Sequence, residues 1–573
     1  MQRAARARKY RLQGAGLDLA LPYLMLAPGL MIVLGVLVYP LWDGLRASTR
    51  AYRYGSPVAD VGFQNYVHLW SDGQFLNSLW VTVKFVALSV SFEAVLGFAL
   101  ALFCLREFQG IRLLRTVLII PMVITPVVVA IVFRLIYASD AGMLTALSEA
   151  MGGGEAQILG NPLNAFIGLV VLDVWEWTPL MFLILLAGLQ SLPHEPFEAA
   201  RVDGAGAWRV FADLTFPMMR PVLAVAIVLR TIDAFGTFDQ VFVLTRGGPG
   251  EATRLVSIYG YDTAFKVPTD RLCGCAVRDH RPRGARARFQ RHQASAQGGC
   301  VMSTRLARIL TTIFVLAVVL LPIYWLVSTS LKSNREITQE GTLYPHVPTF
   351  DNYVRLFTEK QFGSYLTNSL VVTFFSVAIA LVAGAMGAYA IARFRLPLAM
   401  EGKVGLFLLT LRIIPPVVIL IPVYLLMLHL GLLDSWLGLI ATYTAFNVTF
   451  CVWMMESFFR EIPVDLEEAA MVDGDSRFGA FRRITLPLAA PGLAATAIFA
   501  VLVTFNEFLF ALALTATPRA MTMPRGTATL IGRIDTDWAS MSAAGVIGAL
   551  PIVFFALLVQ RHLVRGLTMG AVK

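Results

Sequence analysis

Charge is what this sequence has least of. Only 15% of its residues are Asp, Glu, Lys or Arg, against about a quarter in an ordinary soluble protein. With 57% of its 573 residues hydrophobic, the chain cannot cover its own surface in water, and an ordinary soluble fold is excluded. Cysteine is also scarce, with five in all, so no disulfide framework is expected. Cys104 and Cys451 lie in apolar runs and read as small core residues; Cys273, Cys275 and Cys300 share one unusual segment. A Gly-x-x-x-x-Gly-Lys-Ser/Thr phosphate loop is missing, so the chain is not expected to hydrolyse ATP or to be an enzyme. A secretory leader is not expected either. The basic start (Arg3, Arg6, Arg8, Lys9, Arg11) leads into an apolar stretch from about Ala20 to Trp42, too long for a leader core and without a small-residue cleavage site.

What the chain has in quantity is apolar runs of about twenty residues, the length that crosses about 30 Å of hydrocarbon as a helix. They fall near 20–42, 79–104, 117–137, 165–189 and 218–240, then near 308–330, 366–391, 404–428, 436–459, 490–515 and 540–563. The expected fold is all-α and integral to the membrane, with five spans followed by six. Lys and Arg outnumber Asp and Glu by 47 to 37, a net charge of +10. In a membrane protein that excess belongs to cytoplasmic loops and does not argue for nucleic acid.

The two sets of spans are repeats. Glu198-Ala199-Ala200 and Glu468-Ala469-Ala470 lie 270 positions apart, and the same offset carries Val202-Asp203-Gly204 onto Val472-Asp473-Gly474, Pro217 onto Pro487 and Pro221 onto Pro491. A weaker match sets Asn65-Tyr66 and Asn77-Ser78-Leu79 against Asn352-Tyr353 and Asn368-Ser369-Leu370. Repetition of this kind predicts two similar bundles facing each other across a path, related by an axis along the membrane normal. Residues 1–266 read as a first half, 302–573 as a second and 267–301 as a junction. Arg106, Arg112, Arg115, Arg201 and Arg209 in the first half, and Arg393, Arg395, Lys403, Arg460, Arg477, Arg482 and Arg483 in the second, fit one cytoplasmic side. Both Glu-Ala-Ala loops are therefore expected there.

Local chemistry makes each loop a helical knob. A helix starting near Asp465 would take that carboxylate as N-cap, with Glu468 answering as in a capping box. The paired alanines leave a low face that another protein can approach closely. Gly204 and Gly474 permit a left-handed turn, and Pro217 and Pro487 restart the chain in the first turn of the next span. The pattern Glu-Ala-Ala, three residues, Gly, then about a dozen residues and Pro resembles the coupling loop of bacterial ABC-importer permeases. Phe238-Asp239-Gln240-Val241-Phe242-Val243-Leu244-Thr245-Arg246-Gly247-Gly248-Pro249 and Phe505-Asn506-Glu507-Phe508 resemble the carbohydrate, maltose-type branch. The resemblance covers nearly all of the chain except about 267–301.

That resemblance implies a type I ABC-importer permease, multi-pass in a bacterial inner membrane, whose halves rock between inward-open and outward-open forms. It implies two ATPase subunits docked on Glu198, Ala199, Ala200, Asp203, Gly204, Pro217 and on Glu468, Ala469, Ala470, Asp473, Gly474, Pro487. ATP and Mg would be bound by those subunits, with no cofactor or metal on this chain, and an extracytoplasmic binding protein would deliver sugar. Polar and aromatic residues at membrane depth are candidates for the sugar path: Trp175, Glu176, Trp177, Thr237, Asp239 and Gln240, then Asn447, Asn506 and Glu507. Each has a plainer reading as a bond between helices. Arg412, near Pro415-Pro416, reads as an interface or backbone-break residue. An ion-coupled secondary transporter and a non-transporting scaffold are the rival functions.

The junction does not fit. Residues 267–301 hold Arg271, Arg278, Arg281, Arg283, Arg286, Arg288 and Arg291, with Cys273, Cys275, His280, His292 and Cys300, where a sixth helix is expected. An Arg-rich stretch does not cross hydrocarbon cheaply, and Met302-Ser303-Thr304-Arg305 looks like the start of a separate permease. The composition suggests a frameshift that replaced the helix and fused two reading frames. A zinc site and a cytoplasmic linker stay open as alternatives. Resequencing the coding DNA is expected to find a frame change near residues 267–271; an intact frame would refute it.

Overall fold

The computed structural model describes residues 20–53, 56–105, 108–139, 142–154, 157–265, 301–337, 342–394, 396–397, 400–531, 537–551 and 554. The basic N-terminus, the junction with its arginines and cysteines, and the C-terminal residues after 554 lie outside the described residues. Among the described residues the strands are Arg50–Arg53 and Ser56–Asp60, an antiparallel pair. The working structure is helical.

The helices of the first half that carry the argument are α1 (Ala20–Ser48), α2 (Gly73–Cys104), α3 (Ile111–Val123), α4 (Pro126–Ile136), α5 (Pro162–Gln190), α6 (Glu195–Val202), α7 (Ala207–Phe235), α8 (Asp239–Leu244) and α9 (Val256–Phe265). Those of the second half are α10 (Arg308–Ser330), α11 (Phe362–Arg393), α12 (Gly402–Arg412), α13 (Pro416–His429), α14 (Trp436–Glu461), α15 (Asp465–Val472), α16 (Arg477–Leu488), α17 (Ala490–Phe505) and α18 (Leu509–Leu514). Polar caps mark several starts. Asp72 accepts from the amides of Gln74 and Phe75 ahead of α2, Asn161 from those of Leu163 and Asn164 ahead of α5, and Ser435 from that of Gly438 ahead of α14.

Among the described residues seven helices are long and apolar enough to cross a membrane, and three bent pairs each add one if a pair is a single span, ten in all. Two of the expected spans are broken rather than straight. The apolar runs at 117–137 and 404–428 are pairs, α3–α4 and α12–α13, bent by 95° and 94°. Thr125 and Pro415, each just before a proline, are extended, with ψ of 130° and 133°, because a following proline disfavours helical backbone. The run at 490–515 bends by 74° from α16 into α17 and stops at Phe505; that at 218–240 stops at Phe235. Hydropathy records side chains and is blind to such breaks. The last expected span, 540–563, is helical from 538 to 551 and passes out of the described residues.

Each half is built on one close helix pair, α2 with α5 and α11 with α14. A methyl group on Gly97 would sit 2.7 Å from the Met181 side chain, and one on Gly384 2.4 Å from that of Cys451. Small residues let such backbones approach where lipid supplies no hydrophobic drive. Cys104 and Cys451 are buried, as expected of small core residues. The first helix of each half packs on the other half: α1 on α13 and α14, α10 on α3 and α4. This exchange locks the bundles together.

One buried cluster clamps the first bundle. Arg230 on α7 donates to both Glu93 oxygens on α2 (2.9 and 3.2 Å), to Asp173 on α5 (2.7 Å) and to Asp233 one turn on (3.0 Å). Arg230, Glu93 and Asp173 are at most 1% exposed. Replacing Arg230 by Met leaves carboxylates uncompensated and is expected to cost about 3–5 kcal/mol. It should appear as a collapse in detergent-stable yield and a lowered thermal midpoint, largely restored when Glu93→Gln and Asp173→Asn are added.

Candidate functional site

Two regions gather the residues singled out by the sequence: the knobs and the seam between the halves. In the first knob, α6 ends at Val202 and Gly204 takes φ 72°; in the second, α15 ends at Val472 and Gly474 takes φ 98°. Both are left-handed, as glycine was expected to allow. The amide of Ala205 reaches back to the Ala200 carbonyl (2.9 Å) and that of Asp475 to the Ala470 carbonyl (3.0 Å), closing each helix end in the same way. The repeat extends to a π-helical turn in each half, Phe211–Thr215 and Phe481–Thr485, again 270 residues apart.

The expected cap on α15 is absent. Val464 occupies the cap position, no side chain caps the helix, and Asp465 is its first residue. Spacing alone cannot say which residue leaves the helix, and here the turn begins one residue early. Glu198, Ala199, Asp203 and Gly204 are exposed, as are Glu468, Ala469, Asp473 and Gly474, while Ala200, Ala470 and Pro217 are half-buried and Pro487 is exposed. Each knob also bares an apolar pair. Val202 is 88% exposed with Trp208 at 77%, and Val472 is 86% exposed with Phe478 at 45%. These pairs match at the same offset of 270, and sequence reading passed over them because exposed apolar residues look like any others in a hydrophobic chain.

The seam lies where α7 and α17 stop. Gly236 and Asn506 end the two helices with nearly identical backbone angles, φ −85° and ψ −4° or −7°. The next residues, Thr237 and Glu507, then lead into α8 and α18. Phe238 and Phe508, repeat-related residues, touch each other with ring centroids 6.4 Å apart. Equivalent residues meet only beside the axis that relates them, so the pseudo-twofold passes between these two rings. Phe242, Tyr261, Phe265 and Tyr424 extend the aromatic contact across the halves.

The candidate path residues divide around this point. Asp239 opens α8, within electrostatic range of Glu507 and Asp233. Glu507 accepts from the Tyr443 hydroxyl (2.5 Å) and the Phe510 amide (2.8 Å). Asn506 accepts from Thr125 of the other half (2.7 Å). Gln240 donates to buried Glu176 (2.6 Å), and Asn447 to Thr504 (2.6 Å). Trp177 lies under the Arg230 guanidinium, 5.0 Å from its ring centre. Trp175 stands apart, its indole N–H given to the Val318 carbonyl on α10 (3.1 Å). Thr237 receives Ser257 on its carbonyl. Arg412 sits at the break between α12 and α13 and covers the Phe450 ring at 4.9 Å.

Residues 94–333 and 380–569 both match one family, the binding-protein-dependent transport system inner membrane component. The chain belongs to this family. It carries two copies and is about twice a single permease in length. The trehalose/maltose transport system permease protein MalF of Thermococcus litoralis is 38% identical to 42% of this chain, over 82% of its own length. The trehalose transport system permease protein SugB of Mycobacterium tuberculosis is 40% identical to 44% of the chain, over 92% of its own. The sulfoquinovosyl glycerol transport system permease protein SmoH of Agrobacterium fabrum is 36% identical to 44%, over 89%. A bacterial ABC transporter that imports the acidic polysaccharide alginate aligns with 46% of the chain and 99% of its own, at 23% identity and a TM-score of 0.40.

In this multi-pass permease local sequence patterns do not mark the aromatic seam, although Phe238 and Phe508 match at the 270 offset. Both rings are at most 3% exposed. Phe238→Ala is expected to destabilise the protein by about 3–5 kcal/mol, whereas Phe235→Ala, at a position 38% exposed, should stay within about 0.5 kcal/mol. Thermal unfolding of both variants in detergent checks the contrast.

Proposed function

We propose that this permease is the membrane channel of a sugar importer driven by separate ATPase subunits, one docked on each knob. The observation that carries the reading is the identity of the two knobs: the same helix end, left-handed glycine, π turn and bare valine–aromatic pair. Covering one such valine contributes about 1.5–3 kcal/mol, and an exposed apolar patch repeated on a symmetric body fits two copies of one partner. Glu198 and Glu468 beside these patches form no ion pair among the described residues, leaving both carboxylates for a cationic partner group. ATP and Mg belong to that partner.

Sugars passing along the axis would meet Asp239, Gln240, Asn506 and Glu507 as hydrogen-bonding groups, with the aromatic seam as a stacking and closing surface. Alternating access follows if ATP binding favours one arrangement of the halves over the other. An extracytoplasmic binding protein delivers the sugar, and the knobs face the cytoplasm of a bacterial cell. The relatives named for trehalose and maltose transport support the sugar class.

Capture of the tagged chain from native membranes is expected to bring down an ABC-type ATPase, identified by mass spectrometry. Val202→Glu and Val472→Glu should each lower the captured amount at least about tenfold, each losing a buried apolar contact and adding a charge. Gly204→Asp and Gly474→Asp should act alike. Sugar uptake without any ATPase would favour an ion-coupled carrier, and no uptake with tolerated changes in the Trp175–Gln240 set would favour a scaffold.

A further inference from the structure

The two knobs match on the outside and differ at the base. In the second half, Glu467 sits one residue before the Glu-Ala-Ala motif, points inward and is 6% exposed. Its carboxylate accepts three hydrogen bonds of 2.8 Å each: from the Tyr389 hydroxyl and Arg393 Nε on α11, and from the Thr485 hydroxyl in the π turn. Arg393 also donates from Nη2 to the Ile462 carbonyl at the end of α14 (2.7 Å). One carboxylate thus ties the coupling helix to the close pair at the heart of its bundle and to the π turn within α16.

Among the described residues the first half has no such carboxylate network. The 270 offset puts Phe197 in the place of Glu467 and Thr215 in that of Thr485. The described last turns of α2, residues 94–104, carry neither a charge nor a hydroxyl, and Arg106 lies outside the described residues. Without a carboxylate to reach, Thr215 bonds back to the Val210 carbonyl in its own turn (3.3 Å). Aromatic contacts on the π turn are common to both bases, Phe98 on Phe211 at 5.8 Å and Trp208 on Phe211 at 5.5 Å in the first, Tyr389 on Phe481 at 4.5 Å and Phe478 on Phe481 at 6.1 Å in the second, so the buried carboxylate is what the second base adds.

We propose that Glu467 is a positioning residue that makes the second coupling loop the stiff lever of the pair, with the first loop the compliant one. Charged hydrogen bonds in a buried site are directional and strong, and breaking one partner leaves the others unpaired. Apolar contact is non-directional, so Phe197 and its neighbours can slide while keeping their area buried. Motion of a partner at the second knob is therefore passed to α11 through fixed bonds, while motion at the first is partly absorbed. The two docking faces look alike to the partner, yet the chain answers them unequally. This rests on the reading of both knobs as ATPase contacts.

The test uses the full chain assembled with its ATPase subunits in liposomes. Nitroxide labels replace Leu163 and Leu437, both 65% exposed and at the starts of α5 and α14, away from the knobs. A non-hydrolysable ATP analogue is added and the distance between the labels is read by pulsed electron resonance. The unaltered chain should change distance on nucleotide binding. Glu467→Gln should keep ATPase capture and hydrolysis but reduce the shifted population about tenfold, the equivalent of a lost charged hydrogen bond. Tyr389→Phe removes one bond and orphans no buried charge; it keeps the test open should Glu467→Gln fail to fold, and should give a smaller loss of the same kind. The pair Glu467→Gln with Arg393→Gln, which keeps buried bonding without charge, should recover part of the shift. Phe197→Leu should change it by less than about twofold.

Equal losses from Phe197→Leu and Glu467→Gln, or an unchanged shift in Glu467→Gln and Tyr389→Phe, would overturn the proposal while leaving the functional reading intact. A captured ATPase with no nucleotide-driven shift in the unaltered chain would also overturn it, since there would be no motion to transmit. Failure of the unaltered chain to capture any ATPase would refute the functional reading itself.

Discussion

The structure depends on one helix in each half that has a knob at its beginning and a break at its end. In the first half α7 carries the π turn beside the knob and stops before Gly236; in the second, α16 carries the equivalent turn and α17 continues, after a bend, to Asn506. A displacement at the knob reaches the seam only if this helix is held against its neighbours. Hydrocarbon offers no water to solvate a loose charge, so Arg230 draws Glu93, Asp173 and Asp233 onto itself and thereby fixes α7 to α2 and α5. The same scarcity of charge that marks the composition makes the few internal charges decisive.

The halves solve this problem at different depths. The first clamps the far part of its helix with the Arg230 cluster and leaves the knob base apolar. The second places its ionic contact at the base, on Glu467, and holds the far part with Asn447 and Thr504. The 270 offset carries Arg230 onto Ala500 and Asp233 onto Val503, so the cluster has no counterpart. Two copies of one fold, locked by the exchange of α1 and α10, have become unequal partners around a single axis.

Much of this was legible in the chain. The apolar runs gave most helices, because a stretch of about twenty residues without charge has few other places to go. The repeat gave the knobs, and the positive φ of Gly204 and Gly474 followed from the one residue type that adopts it freely. Misreadings arose where backbone direction mattered. Runs that look continuous in hydropathy fold back at Thr125 and Pro415, and Asp465 lies inside the helix it was expected to cap. Among the path candidates, composition grouped Trp175 with Trp177, although one bonds α10 and the other lies beneath Arg230.

By itself the sequence determined that the chain lives in a membrane, that it is a doubled permease, and where its two repeated Glu-Ala-Ala loops lie; these depend on composition, run length and residues adjacent in the chain. Only the tertiary structure decided where the axis runs, which polar residues face one another across it, and that one knob adds a buried carboxylate to the aromatic contacts both share. Those facts depend on contacts between residues tens to hundreds of positions apart, whose register is set by helix packing and backbone breaks that no local pattern encodes.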